Sequence, residues 1–288
     1  MRALPIFLLS FSLLSPARYR EPAVVIDPVV AVDPVIFDQR DVAVFDEKQK
    51  VAASATGKVA QTLAVAQSFL GAPYVTGSLE DPGPEQLIVN LRQLDCWTFL
   101  ENSLAIALSS QGDFQVYQDQ LQQLRYWGGT VNGYGSRIHY FSGWVLQAQA
   151  LGYLRDLTAD IGGIPYRKKV GYISGRPAKY PRIRDTMAFR NIIAAEDRIN
   201  RHSWSFIPKS KVAQIESQLQ EGDLILLTSV KRDLDIAHQG FAVRRNGRIH
   251  LLHASSLHKR VIISAEPLAQ YMAKQKGQSG IMVVRINY

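Results

Sequence analysis

One cysteine in 288 residues leaves no internal disulfide and no thiolate-bound metal cluster to hold this chain together. Its fold must rest on an apolar core, and a hydrophobic share of 47% is enough to build one. That cysteine, Cys96, stands in Leu94-Asp95-Cys96-Trp97-Thr98-Phe99-Leu100-Glu101, at the head of a run with helical spacing. Trp97, Leu100, Leu104 and Leu108 form one stripe, and Phe99, Ile106 and Ala107 cover much of the remaining surface. A helix apolar nearly all round is a buried one, so the pattern predicts an interior helix over Cys96–Ser110. Asp95 is placed to cap it, accepting from the free amides of the first turn.

Around this helix the chain divides into two kinds of pattern. Gly57 to Leu70 has helical spacing and ends at Gly71-Ala72-Pro73-Tyr74. A polar loop from Gly77 to Pro84 and a short helix near Glu85–Leu91 are expected next. An amphipathic helix over Phe114–Trp127 ends at Gly128-Gly129, and Arg137 to Trp144 leads into another that closes near Ala150. From Asp223 onward strands take over: Leu224–Leu227, Gln239–Arg244, Arg248–His253, Arg260–Ser264 and Gly280–Asn287, with the hairpin turn Asn246-Gly247 between the second and third. Helices first and an antiparallel sheet later describe an α+β domain.

A thiol is mostly protonated at neutral pH, and the thiolate is the nucleophile. Placement in the first turn of a helix is expected to lower the Cys96 pKa through the dipole and the free amides. Such amides also serve as oxyanion donors, each worth ~2.7–4 kcal/mol. A histidine base and a third, orienting group must lie within reach. His238 opens a strand, and the chain returns through Asn246-Gly247 to His253 in His253-Ala254-Ser255-Ser256. The hairpin sets His238 beside His253. His250 lies three positions from His253 and faces the other side of the strand. A zinc site from His250, His253 and His258 lacks a carboxylate partner or a helical His-Glu-x-x-His arrangement.

The ends and the charge add a location. Arg2, the largely apolar 12-residue run Ala3 to Leu14 and the small residues of Ser15-Pro16-Ala17 read as an export signal over residues 1–17. Prolines in Ile26-Asp27-Pro28-Val29 and Val32-Asp33-Pro34-Val35 make residues 18–50 an expected extended linker. One domain is then expected over 51–288. Between Arg155 and Lys211 stand 13 lysines and arginines against 5 acidic residues, which accounts for the whole net charge of +8. This stretch is expected to form a helical and loop insertion, and a basic surface favours an anionic partner. No nucleic-acid-binding module accompanies it, so an anionic wall or membrane surface is the expected contact.

Taken in order, Gly71-Ala72-Pro73-Tyr74, Asp95-Cys96, Gly222-Asp223-Leu224-Ile225, His238-x-Gly240 and His253-Ala254-Ser255-Ser256 resemble the signatures of the NlpC/P60 cell-wall peptidase superfamily. Trp97 where the common pattern has serine, the run Tyr74-Val75-Thr76-Gly77-Ser78-Leu79-Glu80, and Arg137-Ile138-His139-Tyr140-Phe141 are similar to one branch, DUF1460, the N-acetylmuramoyl-L-alanine amidase-like family. The resemblance spans Val59 to Tyr288. It implies a papain-like core in which a helix carrying the cysteine packs on an antiparallel sheet carrying both histidines. It implies Cys96 as nucleophile, His238 as base and His253 as orienting residue. It implies Tyr74 beside the site, no metal or organic cofactor, and a peptidoglycan or muropeptide substrate cut at the amide between muramic acid and L-alanine.

Around that centre Asp95 and Glu80 are substrate-side candidates. Arg137 is expected either to pair with Glu101 or to hold a substrate carboxylate. His139 and Tyr140 are expected to line the sugar side, while Phe141 and Trp144 read as core. The sequence thus points to an exported, periplasmic or envelope cysteine amidase. A γ-D-glutamyl-diamino acid endopeptidase on the same scaffold, an acyl transferase, and a wall-binding module without activity are its rivals.

Overall fold

The structure, a computed structural model, describes residues 35–287. The export signal over 1–17 and the first part of the linker lie outside the described residues. Two cores, one on each face of a single sheet, organise the rest. Seven α-helices are found among the described residues: α1 Gln39–Ala53, α2 Lys58–Ser68, α3 Cys96–Leu108, α4 Phe114–Arg125, α5 Phe141–Ala150, α6 Thr186–Arg201 and α7 Leu268–Lys274. The strands are β1 Leu154–Asp156, β2 Ile164–Pro165, β3 Ser205–Pro208, β4 Leu224–Ser229, β5 Ile236–Arg245, β6 Arg248–Ser255, β7 Arg260–Ile263 and β8 Gln278–Ile286. They form one antiparallel sheet in the order β2-β3-β8-β4-β5-β6-β7, with β1 also on β8. The α+β class and the predicted strands are therefore found.

Strand alternation sorts the two cores. Leu224, Leu226, Phe241, Val243 and Leu252 face the helical layer of α2–α5. Ile225, Leu227, Ala242 and Leu251 face α7 and the short helical turns over Lys209–Gln218. The Asn246-Gly247 turn takes positive φ at both residues, 49° and 77°, as a two-residue hairpin turn of the primed kind requires. On the helical side, α3 is fixed by its cap. The Asp95 carboxylate accepts from Thr98 N at 2.8 Å while Thr98 Oγ1 accepts from Asp95 N at 2.9 Å. Phe99 meets Phe241 of β5 edge-on at 5.7 Å, a contact worth ~0.5–1.5 kcal/mol beyond area burial.

Three expectations are corrected. Residues 39–50 of the expected linker belong to α1, because Asp38 and Asp41 build a capping box and Phe45 and Ala52 are buried at helical spacing. Buried Asp41 on the same face accepts from Leu91 N at 2.9 Å. The expected helix near Glu85–Leu91 is extended chain in which Leu87, Val89 and Leu91 alternate into the core, with Ile88 bridging Ile36. Finally, the basic stretch 155–211 is not helix and loop alone. Its strand β3 pairs with β8, as does β1 at its start, so the C-terminal strand draws the stretch into the sheet.

Candidate active site

The hairpin β5–β6 brings His238 and His253 together. Leu227 opposes His238 across β4–β5, and in the β5–β6 register Phe241 opposes Leu252, which carries His253 past Gly240. Gly240 is there for space: a Cβ would stand 2.9 Å from His253 Cβ and 2.5 Å from Leu252 O. The two rings cross at 83° with His238 Nε2 2.6 Å from His253 Nδ1. The ring of Tyr271, from α7, meets His253 edge-on at 5.5 Å. The loop before His238 is stapled to α5, since buried Asp235 Oδ2 accepts from Ser142 N at 2.9 Å and from Ser142 Oγ at 2.5 Å.

Cys96 approaches this pair from the helical layer. Its sulfur, half-withdrawn from water at the first position of α3, lies beside the backbone amides of Gln239, Cys96 and Trp97, which favour the thiolate. Gln239 is the chain neighbour of His238, so the thiol lies against the residue next to the imidazole's own. No thiol–imidazole hydrogen bond is formed. Burial, reinforced by Asp95, pushes the Cys96 thiol up to about 12 despite those amides. This reverses the expected lowering: desolvation and a like charge outweigh the helix terminus. Burial also lowers His238 to about 4. It lowers His253 to about 3, with His238 and His258 adding to the effect. At neutral pH the site holds a thiol and two neutral imidazoles.

Of the other candidates, Tyr74 and Asp95 lie at the cysteine. Tyr74 N donates to Lys259 O at 2.9 Å, and burial together with Cys96 and Asp95 raises its phenol. Beside the start of α3 a pocket of about 150 Å³ is lined by Glu80, Asp95, Trp97, Arg137 and His139 among others. His139 Nε2 donates to Tyr134 O at 2.8 Å, and burial beside Arg137 lowers its ring to about 3. Arg137 neither pairs with Glu101 nor stands free for a substrate carboxylate. Its guanidinium is taken up by Leu79 O at 2.7 Å, Glu80 at 2.8 Å and Glu85 at 3.3 Å. The partner of buried Glu101 is Arg125 of α4, at 2.7 Å, with Trp97 Nε1 at 3.3 Å. Tyr140 does not line the pocket beside Cys96. It is buried, donates to Glu196 at 2.6 Å and accepts from Ile173 N at 2.7 Å, so it holds α6 against α5.

The three histidines weighed as a zinc set are kept apart. His250 Nδ1 meets Ser264 O and His258 Nδ1 meets Ser255 Oγ, while His253 pairs with His238. Sequence reasoning missed Tyr271 and Trp97 as site residues. Tyr271 sits in a seven-residue helix between strands, where nothing local marks it. Trp97 read as one more apolar residue of α3, although its ring stands edge-on to Phe141 at 4.9 Å and lines the pocket beside the cysteine.

The family model described as N-acetylmuramoyl-L-alanine amidase-like matches residues 64–281. A solved structure of an N-acetylmuramoyl-L-alanine amidase from Bacteroides uniformis is 30% identical, with a TM-score of 0.75, covering 84% of this chain and 100% of that one. A Bacteroides fragilis protein provisionally described as a xylanase is 32% identical, with a TM-score of 0.72, covering 76% and 98%. A Legionella pneumophila protein assigned to DUF1460 shares the fold at 19% identity and a TM-score of 0.67, covering 87% and 95%. No curated protein is significantly similar.

Proposed function

The chain belongs to the N-acetylmuramoyl-L-alanine amidase-like family, and on that premise we propose that it is a cell-wall hydrolase that works as a cysteine amidase on the NlpC/P60 papain-like plan. The observation that carries the reading is the His238–His253 pair held beside the residue whose amide reaches the Cys96 sulfur. His238 Nε2 is engaged by His253, which leaves Nδ1 as the atom that takes the thiol proton. In that state His238 Nε2–H donates to His253 Nδ1, and His253 carries its own proton on Nε2.

With the thiol high and the imidazole low, no ion pair stands ready, and attack is coupled to proton transfer. Cys96 Sγ bonds to the lactyl carbonyl carbon of muramic acid while its proton passes to His238. The C–N bond then breaks, and the amine of L-alanine leaves with that proton. Water, deprotonated by the same imidazole, hydrolyses the thioester and releases a muramic acid carboxylate and the thiol. The amides around the sulfur and at the start of α3 are the donors nearest the developing oxyanion. A glycoside hydrolase would instead use two carboxyl groups across the scissile bond. The two that line the pocket beside Cys96, Asp95 and Glu80, are committed to the helix cap and to Arg137.

Export to the periplasm or envelope belongs to the same proposal, as does contact of the basic stretch with an anionic wall or membrane surface. Arg167, Lys169, Arg184, Arg190 and Arg201 of that stretch are exposed. Mass spectrometry of a muramyl peptide incubated with the protein, beside Cys96→Ala, tests the chemistry. Cysteine-dependent release of a peptide beginning with L-alanine is expected. A cut after γ-D-glutamate would keep the mechanism and replace the substrate bond. No cysteine-dependent product would sink the catalytic reading.

A further inference from the structure

A second pocket lies away from Cys96, where α6 faces the loops after α4. It encloses about 330 Å³ and is lined by Trp127, Asn132, Ser136, Asn191 and Arg198 among others, within the range of small-molecule sites. Its hollow comes from side-chain size. Asn191, Ala194, Ala195 and Arg198 follow one another at helical spacing on α6, so two alanines sit between the polar ends. Gly135 opposes them, and a Cβ there would stand 2.7 Å from Asn191 Cβ and 2.8 Å from Ala188 O. Trp127 forms one wall, packed closely on Gly143 of α5.

The lining is rich in donors and, among the described residues, has no carboxylate. Trp127 Nε1 is buried without a hydrogen-bond partner. The carboxamides of Asn132 and Asn191 make no side-chain hydrogen bond to the described residues. Arg198 is exposed, makes no ion pair with them, and is held over the Trp127 ring at 4.7 Å. A fixed cation beside neutral amides, in a pocket of this volume, suits a hydroxyl- and amide-bearing molecule with one carboxylate. The pocket is also connected to the catalytic side. A neighbouring hollow of about 490 Å³ shares Asn132 and is lined by Glu85 and Tyr134. Both of those residues contact Arg137, which lines the pocket beside Cys96.

We propose that the Trp127–Arg198 pocket binds an acidic amino sugar, namely muramic acid with its lactyl carboxylate free, as one residue of a glycan strand. The inference rests on the amidase reading for its biological sense. Muramic acid in a peptide-bearing strand has that carboxyl group tied up as an amide, and hydrolysis of the amide frees it. The pocket would therefore hold strand already stripped of peptide, while the cysteine centre works on the neighbouring stem.

The test is calorimetric titration of the Cys96→Ala protein with three saccharides of equal length. One is a glycan strand with free lactyl groups, one is chitotetraose, which has no lactyl group, and one is a peptide-bearing strand. The free-lactyl strand should bind about tenfold or more tighter than chitotetraose. Arg198→Gln should erase that preference, and Ala194→Trp, which fills the hollow from an exposed helix position, should abolish free-lactyl binding. In the Cys96-containing protein, cleavage of a single-muramic-acid substrate should be unchanged by either substitution. Equal affinity for the three saccharides, or a free-lactyl preference indifferent to both substitutions, overturns the proposal. None of the saccharides needs to be cut, so a negative titration and a negative amidase assay are separate results.

Discussion

Glu101 and Arg125 are buried on one side of the Cys96 helix, and His238 and His253 are withdrawn from water on the other. The first pair is of opposite charge: the guanidinium donates to Glu101 Oε1 from Nε at 3.0 Å and from a terminal nitrogen at 2.7 Å, and Trp97 donates to the second carboxylate oxygen. The second pair has no counter-charge. Burial lowers both imidazoles and raises the facing thiol, so the groups there are neutral. The same withdrawal from water thus has two results. Where an opposite charge is supplied, it locks a helix; where none is supplied, it leaves the groups uncharged.

The sharpest way to break that contrast is to remove one member of each pair. His253→Ala should lower kcat by about 10²–10⁴ with little loss of fold, because His238 loses the partner that fixes its tautomer. Steady-state kinetics beside circular dichroism checks this, and unchanged kcat would remove His253 from the mechanism. Glu101→Ala should do the opposite, lowering stability by about 3–5 kcal/mol by leaving Arg125 buried without a partner. The double variant Glu101→Leu with Arg125→Met should recover most of that loss in denaturant titration.

Gly240→Ala probes how tightly the histidine pair is packed. The new methyl must displace His253 or the β6 backbone, and a cost of about 1–3 kcal/mol with a smaller fall in activity than His253→Ala is expected. Activity equal to the parent would show that the hairpin yields without moving the imidazole.

Protonation gives the finest test. In the proposed mechanism His238 must be neutral to accept the thiol proton, and burial puts its pKa at about 4, so kcat/KM should hold steady from pH 7 down to pH 5 and fall near 4. The thiol lies at about 12, so alkylation of Cys96 by iodoacetamide should rise about tenfold per pH unit through pH 9. An acid limb between pH 6 and 7 with fast alkylation at pH 6 would mean a standing thiolate–imidazolium pair, and the contrast between the two sides of α3 would be wrong.

Parts of this site were legible in the sequence for local reasons. The cap at Asp95, the turn at Asn246-Gly247 and the apolar runs of β4 and α3 are short-range patterns, and each appears where spacing put it. The hairpin also fixed which two histidines meet, since a two-residue turn sets the register of both strands. The capping box of α1 and the alternation over Leu87–Leu91 were equally local, yet the prolines upstream and the brevity of the segment masked them.

What the sequence by itself determined is the set of elements and the order of the reactive groups along them: one cysteine at a helix start, two histidines on one hairpin, and a basic stretch between. Tertiary structure alone decided the partners and the charge states. Arg125 rather than Arg137 answers Glu101, Tyr140 turns into the core, Tyr271 arrives from α7, and the thiol is raised rather than lowered. Hydrogen-bond partners far apart in the chain and the loss of water around a group are properties of the packed molecule, and no local pattern encodes them.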